Sequence, residues 1–160
     1  MPQRKPPQEQ INDVLSLFKS EQIQQALDLI DTLSKDYPDD SLLFNIRGAC
    51  YASLGQLDIA VQSYEKAISI KPDYAKAHYN LGGALQELHK LYDSAKSYEN
   101  TIALEPENAQ AHNNLAIVLR ELNQLKEAEA SCRKAIVLDP EYAEAYSCLS
   151  IIQYTNGDLN

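Results

Sequence analysis

Four prolines, Pro38, Pro72, Pro106 and Pro140, stand 34 residues apart in this 160-residue chain. Between successive prolines lie two apolar stretches of helical period, as in SLLFNIRGACYASL and LDIAVQSYEKAISI on either side of Gly55 and Gln56. Each interval therefore predicts a pair of antiparallel helices. The proline closes the second helix, because its ring disfavours helical geometry at Lys71, Glu105 and Asp139 and it lacks an amide donor. Helix pairs this short cannot bury their own apolar faces, so each must lean on the next. The period thus predicts an all-α solenoid of stacked hairpins.

Within the period, small residues recur where helices must approach closely. Gly48, Gly82 and Ala116 share one repeat position in the first helices. Ala60, Ser94 and Ala128 share a second position, and Ala67, Thr101 and Ala135 a third, both in the second helices. Larger residues stand between these rows: Phe44 and Tyr51, Leu81 and Leu85, Leu115 and Leu119, Tyr64 and Tyr98. Alternating small and large rows are what interdigitated packing requires.

This register resembles the tetratricopeptide repeat, whose 34-residue unit is helix, turn, helix with an aromatic, Leu, Gly, Tyr, two Ala and Pro at set places. Residues 41–74 carry Phe44, Gly48, Tyr51, Ala60, Tyr64, Ala67 and Pro72 at those places, with Arg47 where Leu is usual. Residues 75–108 keep Leu81, Gly82, Tyr98 and Pro106, with His78 and Leu85 as departures. Residues 109–142 keep Leu115, Ala128, Ala135 and Pro140, with His112, Ala116 and Cys132 as departures. The segment 11–40 holds Ala26 and Pro38 and reads as a divergent first hairpin, preceded by a flexible leader over 1–10. A partial unit over 143–160 supplies a first helix and a turn at Asn156 and Gly157. Its helix, AEAYSCLSIIQYT, is apolar on more than one side, so a continuation beyond Asn160 and self-association through this uncapped helix are both expected. The resemblance implies a right-handed superhelical solenoid.

The formal charge of -9, with no run of Lys or Arg to form a basic stripe, argues against nucleic acid and anionic membrane as partners. Much of that charge lies between Ile11 and Asp40, where seven acidic residues meet only Lys19 and Lys35. That stretch reads as a solvated surface, with a basic partner as the alternative. The N-terminus lacks the apolar segment of a secretory signal, and no stretch approaches the eighteen or so apolar residues of a membrane span. Cys50, Cys132 and Cys148 are odd in number and lack C-x-x-C spacing, which fits reduced thiols. The expected location is cytoplasmic.

Catalytic signals are sparse. His78 and His112 stand at equivalent places one repeat apart, but packed helices are about 8 to 10 Å apart while zinc draws its ligands to about 2 Å. Both read as packing residues, and His89 as a surface residue at a turn. Cys50 and Cys132 read as small buried apolar groups. Cys148, on the open last helix, reads as the more reactive thiol. Asp39 and Asp40 suit a helix N-terminus. No Ser, His and acid set and no glycine-rich phosphate loop is recognisable, so neither an enzyme, a metal nor a cofactor is expected.

In a repeat stack of the family it resembles, the first helix of each unit lines the concave side. Periodicity then turns Lys76, Tyr79, Asn80, Gly83, Gln86 and Glu87, and Gln110, Asn113, Asn114, Ile117, Arg120 and Glu121, toward a groove. Asn80 and Asn114 occupy one repeat position, and an amide that donates and accepts suits the backbone of an extended peptide. First helices about 10 Å apart would meet such a peptide at roughly every third residue. This pair is similar to the asparagine ladder in the repeat region of the O-GlcNAc transferases, with Ile46 and Cys148 at the flanking rungs and Asn45 one residue off the row. The carboxylate-clamp form of the family uses basic residues and Asn, where this chain has Ala49, Gln110 and Asn114, so recognition of a chaperone's tail is not expected. The leading expectation is a non-catalytic scaffold that binds an extended peptide or helix of a partner protein. Two alternatives are the recognition arm of a glycosyltransferase, sulfotransferase or methyltransferase, and an RNA-binding pentatricopeptide-like array, whose need for groove cations is poorly met.

Overall fold

The structure, a computed structural model, describes residues 5–157; residues 1–4 of the expected leader and 158–160 of the expected partial repeat lie outside it. The described residues form α1 (Gln8–Lys19), α2 (Ile23–Asp36), α3 (Ser41–Ser53), α4 (Leu57–Ile70), α5 (Ala75–Glu87), α6 (Leu91–Leu104), α7 (Ala109–Glu121), α8 (Leu125–Leu138) and α9 (Ala143–Asn156). There is no strand among them. The chain divides into two compact units, residues 1–84 and 85–160, with α5 running through the boundary. α1 begins at Gln8, inside the stretch read as leader, because Pro7 is free to precede a first turn whose N–H groups lack intrahelical partners.

The repeat is visible in the backbone at both ends of its helices. Ahead of each periodic proline, Tyr37, Lys71, Glu105 and Asp139 take φ of -131, -132, -132 and -138° with ψ of 62, 89, 78 and 95°, outside the helical region. The proline ring has driven the preceding residue out of the helix, as its sterics demand. The turns between paired helices share a second device. Glu21, Gly55, His89, Asn123 and Gly157 all have positive φ, between 56 and 80°, and stand 34 residues apart. The next N–H reaches back across each of the first four: Gln22 to the Leu17 carbonyl, Gln56 to Tyr51, Lys90 to Leu85 and Gln124 to Leu119, at 2.8 to 2.9 Å. This is the bond pattern of a helix ended by a left-handed residue. Only two of the five positions carry glycine, so the sequence alone conceals the rule.

In the first unit, Ile11 and Val14 of α1, Ala26, Leu27, Ile30 and Leu33 of α2, and Leu43, Ile46 and Cys50 of α3 form one buried cluster. The divergent opening hairpin therefore has a full apolar face although it lacks most of the repeat signature. α3 is started by Asp40, whose Oδ1 accepts from the Leu43 N–H at 2.9 Å. Beyond it, Gly48 lies under the buried ring of Tyr64 on α4 so closely that a Cβ would sit 2.5 Å from a ring carbon. Glycine at this place is a steric requirement of the pair. Arg47, where the family has Leu, stays half-buried, pairs with Asp31 at 3.5 Å and lies 5.7 Å from the Tyr51 ring centre.

In the second unit, α7 packs between α6 and α8, and α9 against α7 and α8. Asn108 caps α7 by accepting from the Ala111 N–H at 2.9 Å. The small rows Ser94 and Thr101 of α6 and Ala128 and Ala135 of α8 are fully buried, as are Ala116 and Val118 of α7. Tyr146, Ile151 and Tyr154 of α9 remain exposed, Tyr154 at 78%. No described helix is long and apolar enough to cross a membrane.

Candidate functional site

The candidate site is the polar face of the first helices, taken unit by unit. In the first unit, α3 and the start of α5 bring Asn45, Lys76, Tyr79 and Asn80 to one region. The Asn80 Nδ2 donates to the Asn45 Oδ1 at 3.0 Å. Asn45 in turn shares a side-chain hydrogen bond with Tyr74, whose phenol is pushed up by burial and by the charge of Asp40, against a lowering contribution from Asn45. Asn45 is buried and Asn80 half-buried. The network Tyr74, Asn45, Asn80 thus fixes the plane of the Asn80 amide. One N–H of that amide is spent on Asn45, which leaves its second N–H and its carbonyl oxygen as remaining capacity. Beside it the Lys76 Nζ lies 5.0 Å from the Tyr79 ring centre, a cation over an aromatic face. Lys76 is exposed and Tyr79 half-exposed.

In the second unit, Gln86 and Glu87 end α5 and the remaining candidates lie on α7. The Gln86 Nε2 donates to the Glu121 Oε1 at 3.2 Å. Gln110, Glu87 and Glu121 are exposed, and Asn114, Ile117 and Arg120 are half-buried. Asn113 departs from expectation. It is only 2% exposed, so its amide is turned into the fold rather than toward a groove, and its Oδ1 is buried with no hydrogen-bond partner. Asn45 holds the same repeat position and is also buried, but it receives the Asn80 N–H. The residue 35 positions beyond Asn113 is Cys148, which has no amide to offer.

That 35-residue step, one repeat plus one, is what the sequence reading passed over. Asn45 is one residue off the row of Asn80 and Asn114, and the hydrogen bond links that row to the position one residue earlier. Tyr74 was missed as well, since it stands in the loop after Pro72. The step between Asn45 and Asn80 was the signal available in the sequence.

The histidines serve the backbone. His78 and His112 are buried, and each ring Nε2 bonds a proline carbonyl six residues earlier, Pro72 at 2.9 Å and Pro106 at 3.0 Å. With Nε2 as donor, each ring ties the start of its helix to the preceding proline turn. His89 is the exposed left-handed residue of its turn. No group of three or more metal-ligating side chains occurs among the described residues.

All three cysteines are unbridged and buried. Burial pushes the Cys50 thiol up to about 11. Cys148 corrects a second expectation: α9 is open on one side, yet Cys148 lies on its covered side at 4% exposure. It is hydrogen-bonded to Cys132 of α8. The Cys132 S–H facing its sulfur, aided by the charge of Arg120, holds the Cys148 thiol below the ordinary range against its own desolvation, while Cys132 is pushed up.

Comparisons with known proteins bear on the fold. Residues 48–89 match a family model described as TPR repeat, and residues 79–143 one described as Tetratricopeptide repeat. The peroxisomal targeting signal receptor of Kluyveromyces lactis is 33% identical over 64 residues, which are 40% of this chain and 11% of that protein. The chain therefore spans a small part of the length of the curated relatives it matches. Among solved structures, MamA from Desulfovibrio magneticus RS-1 superposes with a TM-score of 0.87 at 21% identity, covering 94% of this chain and 85% of that one. YrrB, described as a TPR protein with an unusual peptide-binding site, superposes with a TM-score of 0.83 at 18% identity, covering 94% and 78%. These likenesses show the fold, an all-α solenoid of helix pairs.

Proposed function

We propose, for a chain that carries tetratricopeptide repeats over residues 48–143, a non-catalytic role as a protein-interaction scaffold that holds an extended segment or helix of a partner on the faces of its first helices. The observation that carries the reading is the held amide of Asn80. A side chain already fixed by Asn45 has little rotamer freedom left to lose, so a hydrogen bond to a peptide costs less ordering entropy. Lys76 over Tyr79 adds a flat, amphipathic surface beside that amide, and Asn114, Ile117 and Arg120 of α7 supply a mixed surface in the second unit. Peptide recognition in the relatives supports the class of function: one is a targeting-signal receptor and one is described by its peptide-binding site.

The test begins with peptides selected on the immobilised chain from a random peptide-display library, followed by fluorescence titration of the best binder. Tyr79→Ala and Asn80→Ala should weaken it by five-fold or more each, and Asn114→Ala or Ile117→Ala should do so if the second unit takes part. Binding that survives all four substitutions would remove the first-helix faces from the account.

A further inference from the structure

Cys132 and Cys148 stand 16 residues apart in sequence and meet thiol to thiol where α9 packs on α8. The repeat register gives the meeting its significance. One and two repeats earlier the same two positions hold Tyr98 with Asn114 and Tyr64 with Asn80, so in the last pair both members have become cysteine. Arg120 of α7 directs positive charge at both sulfurs, and Glu129 of α8 directs negative charge at Cys132. Cys50, the remaining thiol, belongs to the core cluster of the first unit.

We propose that Cys132 and Cys148 are a reversible disulfide site, oxidised by a hydroperoxide, that fastens α9 to α8. The Cys148 thiolate is the favoured nucleophile, since its negative charge faces the Cys132 S–H and Arg120. Its sulfur attacks a peroxide oxygen, the O–O bond breaks, and the departing hydroxide takes a proton to leave as water. The product is a sulfenic acid on Cys148. The Cys132 sulfur then attacks that sulfur: the S–S bond forms, the S–O bond breaks, and the hydroxyl leaves as water with the Cys132 proton. Two thiols and one hydrogen peroxide become one disulfide and two waters. An added dithiol reverses the change by exchange. The buried sulfurs are reached through local opening of α9, whose other side, with Tyr146, Ile151 and Tyr154, is already open to solvent.

The experiment treats the whole chain with hydrogen peroxide at a few molar equivalents and counts thiols in denaturant. Free thiols should fall from three to one, with a mass lower by two hydrogens, and peptide mapping should place the bridge between Cys132 and Cys148. The bridge closes a short loop, so the melting temperature should rise on the order of 5 to 10 °C and return with dithiothreitol. Cys50→Ser should keep the bridge, and Cys148→Ser should lose it. Mapping on the unsubstituted chain decides the matter even if a variant folds poorly. A stable sulfinic acid on Cys148 beside a free Cys132, a bridge that includes Cys50, covalent dimers, or three intact thiols would each overturn the proposal.

Discussion

Replacing Gly48 by Ala tests the packing of a repeat at its tightest point. An added Cβ would lie 2.5, 2.6 and 2.9 Å from three carbons of the Tyr64 ring. Such contacts cannot persist, and the ring cannot swing into solvent because it is 3% exposed and held between helices. Forcing one methyl into a packed core costs about 1 to 3 kcal/mol. Alanine returns up to about 1 kcal/mol of helix propensity over glycine. Contacts this short put the packing cost in the upper part of its range, so the net expectation is a loss of about 1 to 2 kcal/mol, read as a lower urea midpoint by far-UV circular dichroism. A double-mutant cycle isolates the cause. With Tyr64→Ala the ring is gone, and Gly48→Ala should then be neutral or stabilising by up to about 1 kcal/mol. If Gly48→Ala leaves the native chain as stable as before, or costs as much without the ring as with it, the argument from close approach is wrong.

Three further expectations follow from other features. Because His89 holds a left-handed conformation at φ 56°, with its side chain exposed, His89→Gly should raise stability by a few tenths to about 1 kcal/mol in the same urea assay. Asn45→Ala strips partners from both Asn80 and Tyr74 and should cost about 1 to 2 kcal/mol, whereas removal of an exposed amide such as Gln110→Ala should cost almost nothing. The Cys50 thiol is raised by burial from an ordinary 9.0 to about 11, so between these values the unfolded chain loses its proton first and stability falls as pH rises. Below about pH 9 that contribution is complete. Urea midpoints measured across the window should fall more steeply for the native chain than for Cys50→Ala, by about 2 to 3 kcal/mol in all.

The architecture was legible because its two strongest determinants are local. Periodic prolines expel the preceding residue from the helix, and small residues at Gly48, Ala60, Ala67 and their repeats mark close approach; both are written in residue type and interval. What escaped is decided by conformation or by an offset contact. The left-handed turn positions hold Glu21, His89 and Asn123 as well as glycine, at a conformational cost, since the backbone there is imposed by the hydrogen bonds that end each helix. Asn45 was out of register with Asn80 in a row count, yet adjacent repeats shift by one residue where their side chains meet. Asn113 and Cys148 were read as open because helical period shows which residues share a face, not how deeply a neighbour covers it. Of the groove candidates, Lys76, Glu87, Gln110 and Glu121 are exposed and Tyr79, Asn80, Gln86, Asn114, Ile117 and Arg120 half-buried.

The first-helix faces can be examined most directly by hydrogen-exchange mass spectrometry on the chain with and without a saturating peptide selected from the display library. The account predicts that added protection concentrates in α3 and α5 of the first unit, or in α7 of the second. Protection confined to α2, α4, α6 or α8, with the first helices unchanged, would contradict it.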